Sequence, residues 1–369
     1  MALTNVNQKE LLSILEFTPA EQNIMIVGKH GIGKSKIVEN FFTERGEKVV
    51  TFFCSQASDP GDIIGLPYRN QETGKTEFAL PWWFPTDNSP VILFLDELNR
   101  ARPEILQVVM DLTLNRRLAG KRLPEGSMVI SAINNGDEYQ LTDLDPALLS
   151  RFNIYNFVPS TTDWIQWATR SGISQHVIGF ISTNSGLLDC KETEETGNLD
   201  KGPDRRAWER VSNVVKRMEE IGGKYDTAFK KLVCGIVGAR AGVKFFEYMN
   251  SKNAVNPSEL LYDFDKHAYK LDTLNVQQYV GLNDGICSLI DKEYETNSPA
   301  DNKKLAQNLL KYFEYITNIK NGKGNREAMA HFISNYELGK YFNLNLLIMD
   351  NPNTLEKFIN KFITETKTR

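Results

Sequence analysis

Residues 23–35 read NIMIVGKHGIGKS and are the most informative segment of the chain. The apolar run at 23–27 has the length and composition of a buried strand, and a glycine follows it. Residues 28–35 then match the pattern G-x-x-x-x-G-K-[ST] in full, and a helical stretch continues to Arg45, with Gly46 as its stop. A strand, a glycine-rich loop and a helix in this order are the context in which the pattern binds phosphate.

Phosphate binding explains the residue types found in this loop. Glycines let backbone N–H groups turn toward phosphate oxygens, and the helix start adds the positive end of its dipole. We expect Lys34 to contact the β- and γ-phosphates and the Ser35 hydroxyl to bind Mg²⁺. The predicted nucleotide-binding residues of the loop are Gly28, Lys29, His30, Gly31, Ile32, Gly33, Lys34 and Ser35.

A second buried strand, VILFLDE at 91–97, ends in two carboxylates. In a shared parallel sheet, its carboxyl end comes beside the loop. We expect Asp96 to hold Mg²⁺, through water or through Ser35, and Glu97 to polarise the water that attacks the γ-phosphate. A glutamate at this position favours hydrolysis over nucleotide storage. The chain has no Asn-Lys-x-Asp motif for guanine, so we expect the nucleotide to be ATP.

Strand-like and helical runs alternate along the chain as far as about residue 158. This alternation predicts an α/β fold with a parallel sheet covered on both faces. Helical periods dominate after residue 158, and the polar stretch 189–203 is typical of a loop. The remaining strand-like runs are 48–54, 127–133 and 153–158, and the predicted helices include 7–17 and one that Pro103 opens.

The composition is that of an ordinary globular protein of two or three domains. The chain has 369 residues, of which 24% are charged and 41% hydrophobic, and its net charge is −4. This charge argues against a protein that coats nucleic acid. The four cysteines lie far apart, which excludes a zinc knuckle or a disulfide framework at the level of sequence. The start of the chain does not resemble a signal peptide and the apolar runs are short, so we expect a cytoplasmic protein without a membrane span.

With these motifs in this order, the chain resembles the AAA+ ATPases and, within them, the MoxR-type group, over about residues 20–250. LDELNRARPEILQVVMDLTLNRRLAGKRLPEG at 95–126 is similar to the acidic segment of that group. The resemblance implies two inserted hairpins, one at about 59–85 and one at about 116–127. The first is similar to the group's insertion into the second helix of the core.

The resemblance also implies further site residues. SAINN at 131–135 is similar to the sensor-1 segment, which makes Asn134 the residue that orients the attacking water, with Asn135 as the alternative. LDPALLSRF at 144–152 resembles the arginine-finger segment, so Arg151 would serve the nucleotide of a neighbouring subunit.

GPDRRAWERVS at 202–212 resembles the start of the sensor-2 helix. Arg206 would contact the γ-phosphate there, with Arg205 as the alternative. The organisation expected from the resemblance and the helical patterns has three parts, which are an αβα nucleotide-binding core at 1–158, a helical lid at 159–250 and a helical region of unknown role at 251–369.

The resemblance implies an ATPase that remodels a protein client in a chaperone-like way, within a ring that we expect to be hexameric. Proteins of the MoxR type often work with a partner that carries a von Willebrand factor A-type domain. One alternative is a nucleic-acid motor of the restriction type, which neither the net charge nor any basic-aromatic run supports. The other is a nucleotide-gated scaffold with little turnover, and Glu97 argues against it.

Overall fold

The structure is a computed structural model that describes residues 3–85, 87–135, 144–189, 202–251, 255–318 and 326–367. Most of the loop predicted at 189–203 lies outside these ranges. The chain divides into two compact units, Met1–Ser160 and Thr161–Arg369.

The first unit is an α/β unit whose strands and helices follow the predicted alternation. Its strands are β1 Thr4–Val6, β2 Asn23–Gly28, β3 Val49–Phe53, β4 Pro67–Arg69, β5 Thr76–Phe78, β6 Ile92–Asp96, β7 Arg117–Leu118, β8 Lys121–Arg122, β9 Met128–Asn134 and β10 Phe152–Phe157. Its helices are α1 Gln8–Phe17, α2 Lys34–Thr43, α3 Gly61–Ile64, α4 Pro103–Asn115 and α5 Pro146–Leu149, with 3₁₀ turns at Cys54–Gln56 and Leu98–Arg100.

Six of the described strands form one sheet in the order β1-β10-β2-β9-β6-β3, and all neighbouring pairs are parallel. The prediction of a parallel α/β sheet is therefore confirmed. β1 was not predicted, because a three-residue edge strand is too short to show a period. The pairs β4–β5 and β7–β8 are separate antiparallel hairpins.

The sheet is buried on both faces, which explains why its central strands read as continuous apolar runs. Alternate residues of β6 enter different cores. Leu93 and Leu95 share a cluster with Ile105, Val109 and Leu112 of α4. Ile92 and Phe94 share the opposite cluster with Leu11 of α1 and Val38 of α2.

The segment between β3 and β6 contains a 3₁₀ turn, the four-residue helix α3 and the β4–β5 hairpin. Gly65 is essential to the close approach at the hairpin base, because a Cβ there would lie 1.8 Å from the Ala79 carbonyl oxygen. Two adjacent tryptophans follow the hairpin and lie in opposite environments. Trp83 is 1% exposed and packs in the core, whereas Trp82 is 78% exposed.

The second unit is helical, as predicted for the chain after residue 158. Its described helices are α6 Thr161–Arg170, α7 Gln175–Thr183, α8 Arg205–Glu220, α9 Thr227–Val237, α10 Ala239–Asn250, α11 Pro257–Tyr262, α12 Phe264–His267, α13 Val276–Glu293, α14 Pro299–Thr317, α15 Arg326–Glu337, α16 Phe342–Met349 and α17 Lys357–Lys367. None of the helices in the described ranges is long and apolar enough to cross a membrane.

Two apolar clusters fill this unit, one built mainly from α6–α10 and the other from α11–α17. Helix α13 packs directly on α7 at Gly281 of α13 and Ser182 of α7. The approach is so close that a Cβ at Gly281 would lie 1.7 Å from the Ser182 carbonyl oxygen. Thr162 of α6 also donates a 2.6 Å hydrogen bond to the Asp284 carboxylate. A domain boundary near residue 250 stays a prediction.

Candidate functional site

Four neighbouring strands of the sheet bring their carboxyl ends to one edge. Gly28, the last residue of β2, pairs in register with Asn134, the last residue of β9. Phe53 at the end of β3 pairs with Asp96 at the end of β6. In open parallel sheets this edge is where ligands bind. The predicted loop and the acidic strand end therefore lie at the same edge.

The loop after β2 adopts a backbone that its glycines permit. Gly31 and Gly33 have φ angles of 73° and 95°, in the left-handed region that residues with a Cβ rarely adopt. Gly28 has no free space for a side chain, since a Cβ would lie 2.8 Å from Ile32 Cδ1. Helix α2 starts at Lys34, so its first backbone N–H groups face the loop interior. Such a loop can hold an anion.

Lys34 is buried, and its ammonium group lies among oxygen acceptors. Its Nζ donates hydrogen bonds of 2.8 Å to the carbonyl oxygens of Gly28 and Lys29 and to Oδ1 of Asn134. Neutral oxygens stabilise a cation less than phosphate oxygens do. The ammonium is therefore suited to exchange these contacts for an anionic ligand.

Ser35 and Asp96 form a direct pair at the start of α2. The Ser35 hydroxyl donates to Oδ2 of Asp96 at 2.5 Å, and Oδ1 of Asp96 accepts from the Glu97 backbone N–H at 2.8 Å. A hydroxyl and a carboxylate oxygen are the hard ligands that Mg²⁺ prefers. These residues fit a magnesium ion that also binds phosphate.

Glu97 has a left-handed backbone conformation, and each of its carboxylate oxygens accepts a hydrogen bond. Its φ and ψ are 54° and 38°, a left-handed conformation that costs a non-glycine residue about 1–3 kcal/mol. Oε2 accepts from the Ser55 hydroxyl at 2.6 Å, and Oε1 accepts from Arg100 Nη1 at 3.0 Å. Such strain clusters at functional sites.

Asn99 joins the turn after β6 to the end of β9. Its buried side chain donates to the Asn134 carbonyl oxygen at 2.8 Å and accepts from the Asn134 N–H at 3.4 Å. No motif in the sequence predicted a role for Ser55, Asn99 or Arg100. Only their positions indicated that they could lie at the site, since all three follow within a few residues of the ends of β3 and β6.

The two adjacent asparagines at the end of β9 point to different partners. The Oδ1 atom of Asn134 accepts a hydrogen bond from Lys34 Nζ. The amide of Asn135 donates instead to Asn156 of β10 at 3.3 Å. Asn156 in turn donates to Asn5 of β1 at 2.7 Å.

Arg151 lies directly before β10, and its carbonyl oxygen accepts from the Asn23 side chain at 2.9 Å. Its Nη1 is buried and has no hydrogen-bond partner among the described residues. Arg206 belongs to the other unit, where it is exposed in the first turn of α8. The preceding Arg205 is buried and bonds to Asp189 at 2.8 Å. The roles predicted for Arg151 and Arg206 stay predictions.

Cys54 lies just beneath this edge, in the turn that follows β3. Burial, with a smaller contribution from the nearby Asp96 carboxylate, raises the pKa of the Cys54 thiol to about 12. The thiol therefore stays protonated at neutral pH, as is typical of a buried cysteine in a packed core.

Comparison with known proteins agrees with this arrangement. A family model described as an AAA domain of the dynein-related subfamily matches residues 23–152. A protein of Thauera aromatica described as "Putative chaperone BssE" is 26% identical over 176 residues, which are 44% of this chain and 61% of that protein. The chain thus spans about three fifths of the length of this curated relative.

Two solved structures illustrate the structural neighbours. The Holliday junction branch migration motor RuvB of Thermotoga maritima has a TM-score of 0.35 and 12% identity, over 88% of this chain and 86% of that one. NtrX of Brucella abortus has a TM-score of 0.36 and 14% identity, over 80% and 66% of the two chains. The loop and the acidic strand end thus lie in a P-loop AAA core of α/β fold, and residues 23–152 are similar to the AAA domains described as the dynein-related subfamily.

Proposed function

We propose that the protein binds Mg-ATP at this sheet edge and hydrolyses it, as an AAA+ ATPase of the MoxR type. The observation that carries the proposal is the convergence of four side chains from α2 and the end of β6. Lys34 supplies a buried cation, Ser35 and Asp96 a pair of oxygen ligands, and Glu97 a restrained carboxylate. This is the set that phosphoryl transfer to water requires.

Each side chain has a separate task in this proposal. Lys34 exchanges its carbonyl contacts for the β- and γ-phosphates. Ser35 and Asp96 would hold Mg²⁺, which neutralises phosphate charge when bound. Glu97 polarises the attacking water, and the Asn134 amide beside Lys34 orients that water. The contact of Asn134 with Lys34 supports Asn134 over Asn135 for this task.

We propose that Arg151 acts on the nucleotide of a neighbouring subunit, within a hexameric ring. Its buried Nη1 supports this assignment, because the structure gives that group no hydrogen-bond partner among the described residues. Arg206 is the proposed lid arginine, since Arg205 is engaged by Asp189.

The proposed work of the ring is chaperone-like remodelling of a protein client in the cytoplasm. Similarity to the Thauera aromatica protein described as a "Putative chaperone" supports a chaperone role. The MoxR-type motifs support a partner that carries a von Willebrand factor A-type domain. The net charge of −4 supports a protein client rather than nucleic acid.

Two substitutions test the proposed chemistry. Lys34→Ala should weaken Mg-ATP binding by roughly 10- to 100-fold, because a charge-assisted contact contributes about 1.5–3 kcal/mol. Glu97→Gln should keep the affinity and lower turnover by about 10² to 10⁴, the usual size of general-base catalysis. Calorimetry with a non-hydrolysable analogue and a phosphate-release assay measure the two effects.

Lys36→Ala is the matched control for the binding experiment. Lys36 lies two residues after Lys34, and its exposed ammonium pairs with Glu39 at 3.3 Å. This variant should bind and hydrolyse ATP like the wild type. Hydrolysis at the wild-type rate by Glu97→Gln would show that Glu97 is not the catalytic carboxylate.

A further inference from the structure

We infer that Arg100 is a positioning residue that holds the Glu97 carboxylate in place for hydrolysis. The inference rests on the proposed ATPase function and adds a residue to it. It starts from the contact between Arg100 Nη1 and Oε1 of Glu97 at 3.0 Å. Both side chains are largely covered, with 28% and 27% of their surfaces exposed, so solvent screens this pair less than it screens a surface pair.

The backbone fixes Arg100 relative to Glu97. Glu97, Leu98, Asn99 and Arg100 form a tight turn, in which the Arg100 N–H donates to the Glu97 carbonyl oxygen at 2.9 Å. Leu98 and Asn99 are buried. The Asn99 side chain donates to the Asn134 carbonyl oxygen and accepts from the Asn134 backbone N–H. The guanidinium therefore extends from a rigid turn that is tied to the neighbouring strand.

The contacts restrain the carboxylate without using up its acceptor capacity. Arg100 binds one oxygen, and the Ser55 hydroxyl binds the other at 2.6 Å. A carboxylate has about four lone-pair sites, and these two donors use one on each oxygen. Glu97 can therefore be oriented by two donors and still accept a hydrogen bond from water.

Substitution of Arg100 should affect turnover and not binding. Arg100→Ala should lower kcat about tenfold or more, because an unrestrained carboxylate spends less time in the productive geometry. The KM for ATP and the affinity for a non-hydrolysable analogue should stay within about twofold. Arg100→Lys should recover part of the lost kcat, since an ammonium can still donate to Oε1. Arg102→Ala is the matched control, because Arg102 donates to the Ser58 carbonyl oxygen at 3.1 Å.

The effect of Arg100 must pass through Glu97, and a second background tests this. Glu97→Asp shortens the side chain by one methylene and withdraws the carboxylate from Arg100. In that background, Arg100→Ala should lower kcat by a smaller factor than in the wild type. An equal factor in both backgrounds would overturn the inference, as would an Arg100→Ala protein with the kcat of the wild type or a higher one.

Failure of the inference is distinguishable from failure of the proposed function. If Glu97→Gln abolishes turnover while Arg100→Ala leaves it unchanged, Glu97 keeps its proposed task and only the assignment of Arg100 is wrong. If Glu97→Gln itself turns over normally, the proposed catalytic site is wrong, and the inference falls with it.

Discussion

Buried polar residues serve different purposes in the two units. In the first unit, Lys34, Asp96 and Asn134 lie at the carboxyl edge of the sheet, where their partners can be exchanged for a ligand. In the helical unit, Asn283 and Asn308 lie in the middle of long helices. Asn283 donates to the Ala328 carbonyl oxygen at 2.7 Å, and Asn308 donates to the Leu261 carbonyl oxygen at 2.8 Å.

The role of a buried polar side chain depends on the partner that it bonds. One that bonds the backbone of another helix determines which helices pack together, because any other packing leaves it unsatisfied. One that lies at a strand end among other polar groups can change partners when a ligand binds. Substitutions of the buried polar residues at this sheet edge should therefore change chemistry, and those in the helical unit should change stability.

The largest expected effect is that of Arg151→Ala. An arginine supplied by a neighbour contributes about 10³ to 10⁵ to the rate of related phosphoryl transfers, so turnover should fall by that order. The fold should persist, because the carbonyl oxygen that bonds Asn23 remains. A phosphate-release assay and thermal denaturation measure the two properties.

Mixing gives the control for the contribution in trans. Inactive Arg151→Ala and inactive Glu97→Gln proteins, combined in one ring, place intact arginines beside intact sites and should recover activity. Full activity of Arg151→Ala alone would contradict the proposed action of Arg151 on a neighbouring nucleotide. Arg151 would then be a residue that affects stability and not chemistry.

A smaller effect is expected from Gly281→Ala in α13. The new Cβ would lie 1.7 Å from the Ser182 carbonyl oxygen, so α13 and α7 must move apart. Overpacking of this kind should lower the free energy of unfolding by about 1–3 kcal/mol. Urea denaturation followed by circular dichroism measures the change.

Gly235→Ala is the matched control, since Gly235 is also a helical glycine of this unit. A Cβ there has no atom within 4 Å, so alanine should leave the unit as stable as before or stabilise it by up to about 1 kcal/mol. Equal effects of the two substitutions would show that the contact between α13 and α7 does not determine stability.

The smallest expected effect is a pH dependence of the helical unit. Burial, and then Lys340, lower the pKa of His331, while Asp284, whose Oδ1 lies 3.7 Å from Nε2, acts in the opposite direction. The unfolded chain therefore binds more protons, and stability should fall as the pH drops below the unfolded pKa of about 6.5. The slope should stay below about 1.4 kcal/mol per pH unit.

Urea midpoints between about pH 5.5 and 8 test this dependence. His331→Gln should flatten the slope, because it removes the group that protonates on unfolding. An unchanged slope would assign the pH dependence to other groups and would weaken the comparison between the two units.

The parallel sheet could be predicted from the chain because its central strands are buried on both faces. Local composition is enough to reveal such strands, and β2 and β6 begin and end within two residues of the predicted positions. β1 has three residues and one covered face, so its sequence carries no comparable signal. The helical unit could be predicted as helical, but its packing of α13 on α7 depends on a glycine whose contact lies about a hundred residues away.

The phosphate loop and the two carboxylates after β6 could be predicted from the chain, because they depend on local backbone requirements and on a strand that precedes them. Which asparagine contacts Lys34 and which side chains bond Glu97 depends on the three-dimensional packing. The pairing of Gly28 with Asn134 sets the direction of each side chain at the end of β9. Ser55 and Glu97 are 42 residues apart, and Lys34 and Asn134 are 100 apart, so no local pattern could relate them. The sheet brings them together because parallel strands end at one edge.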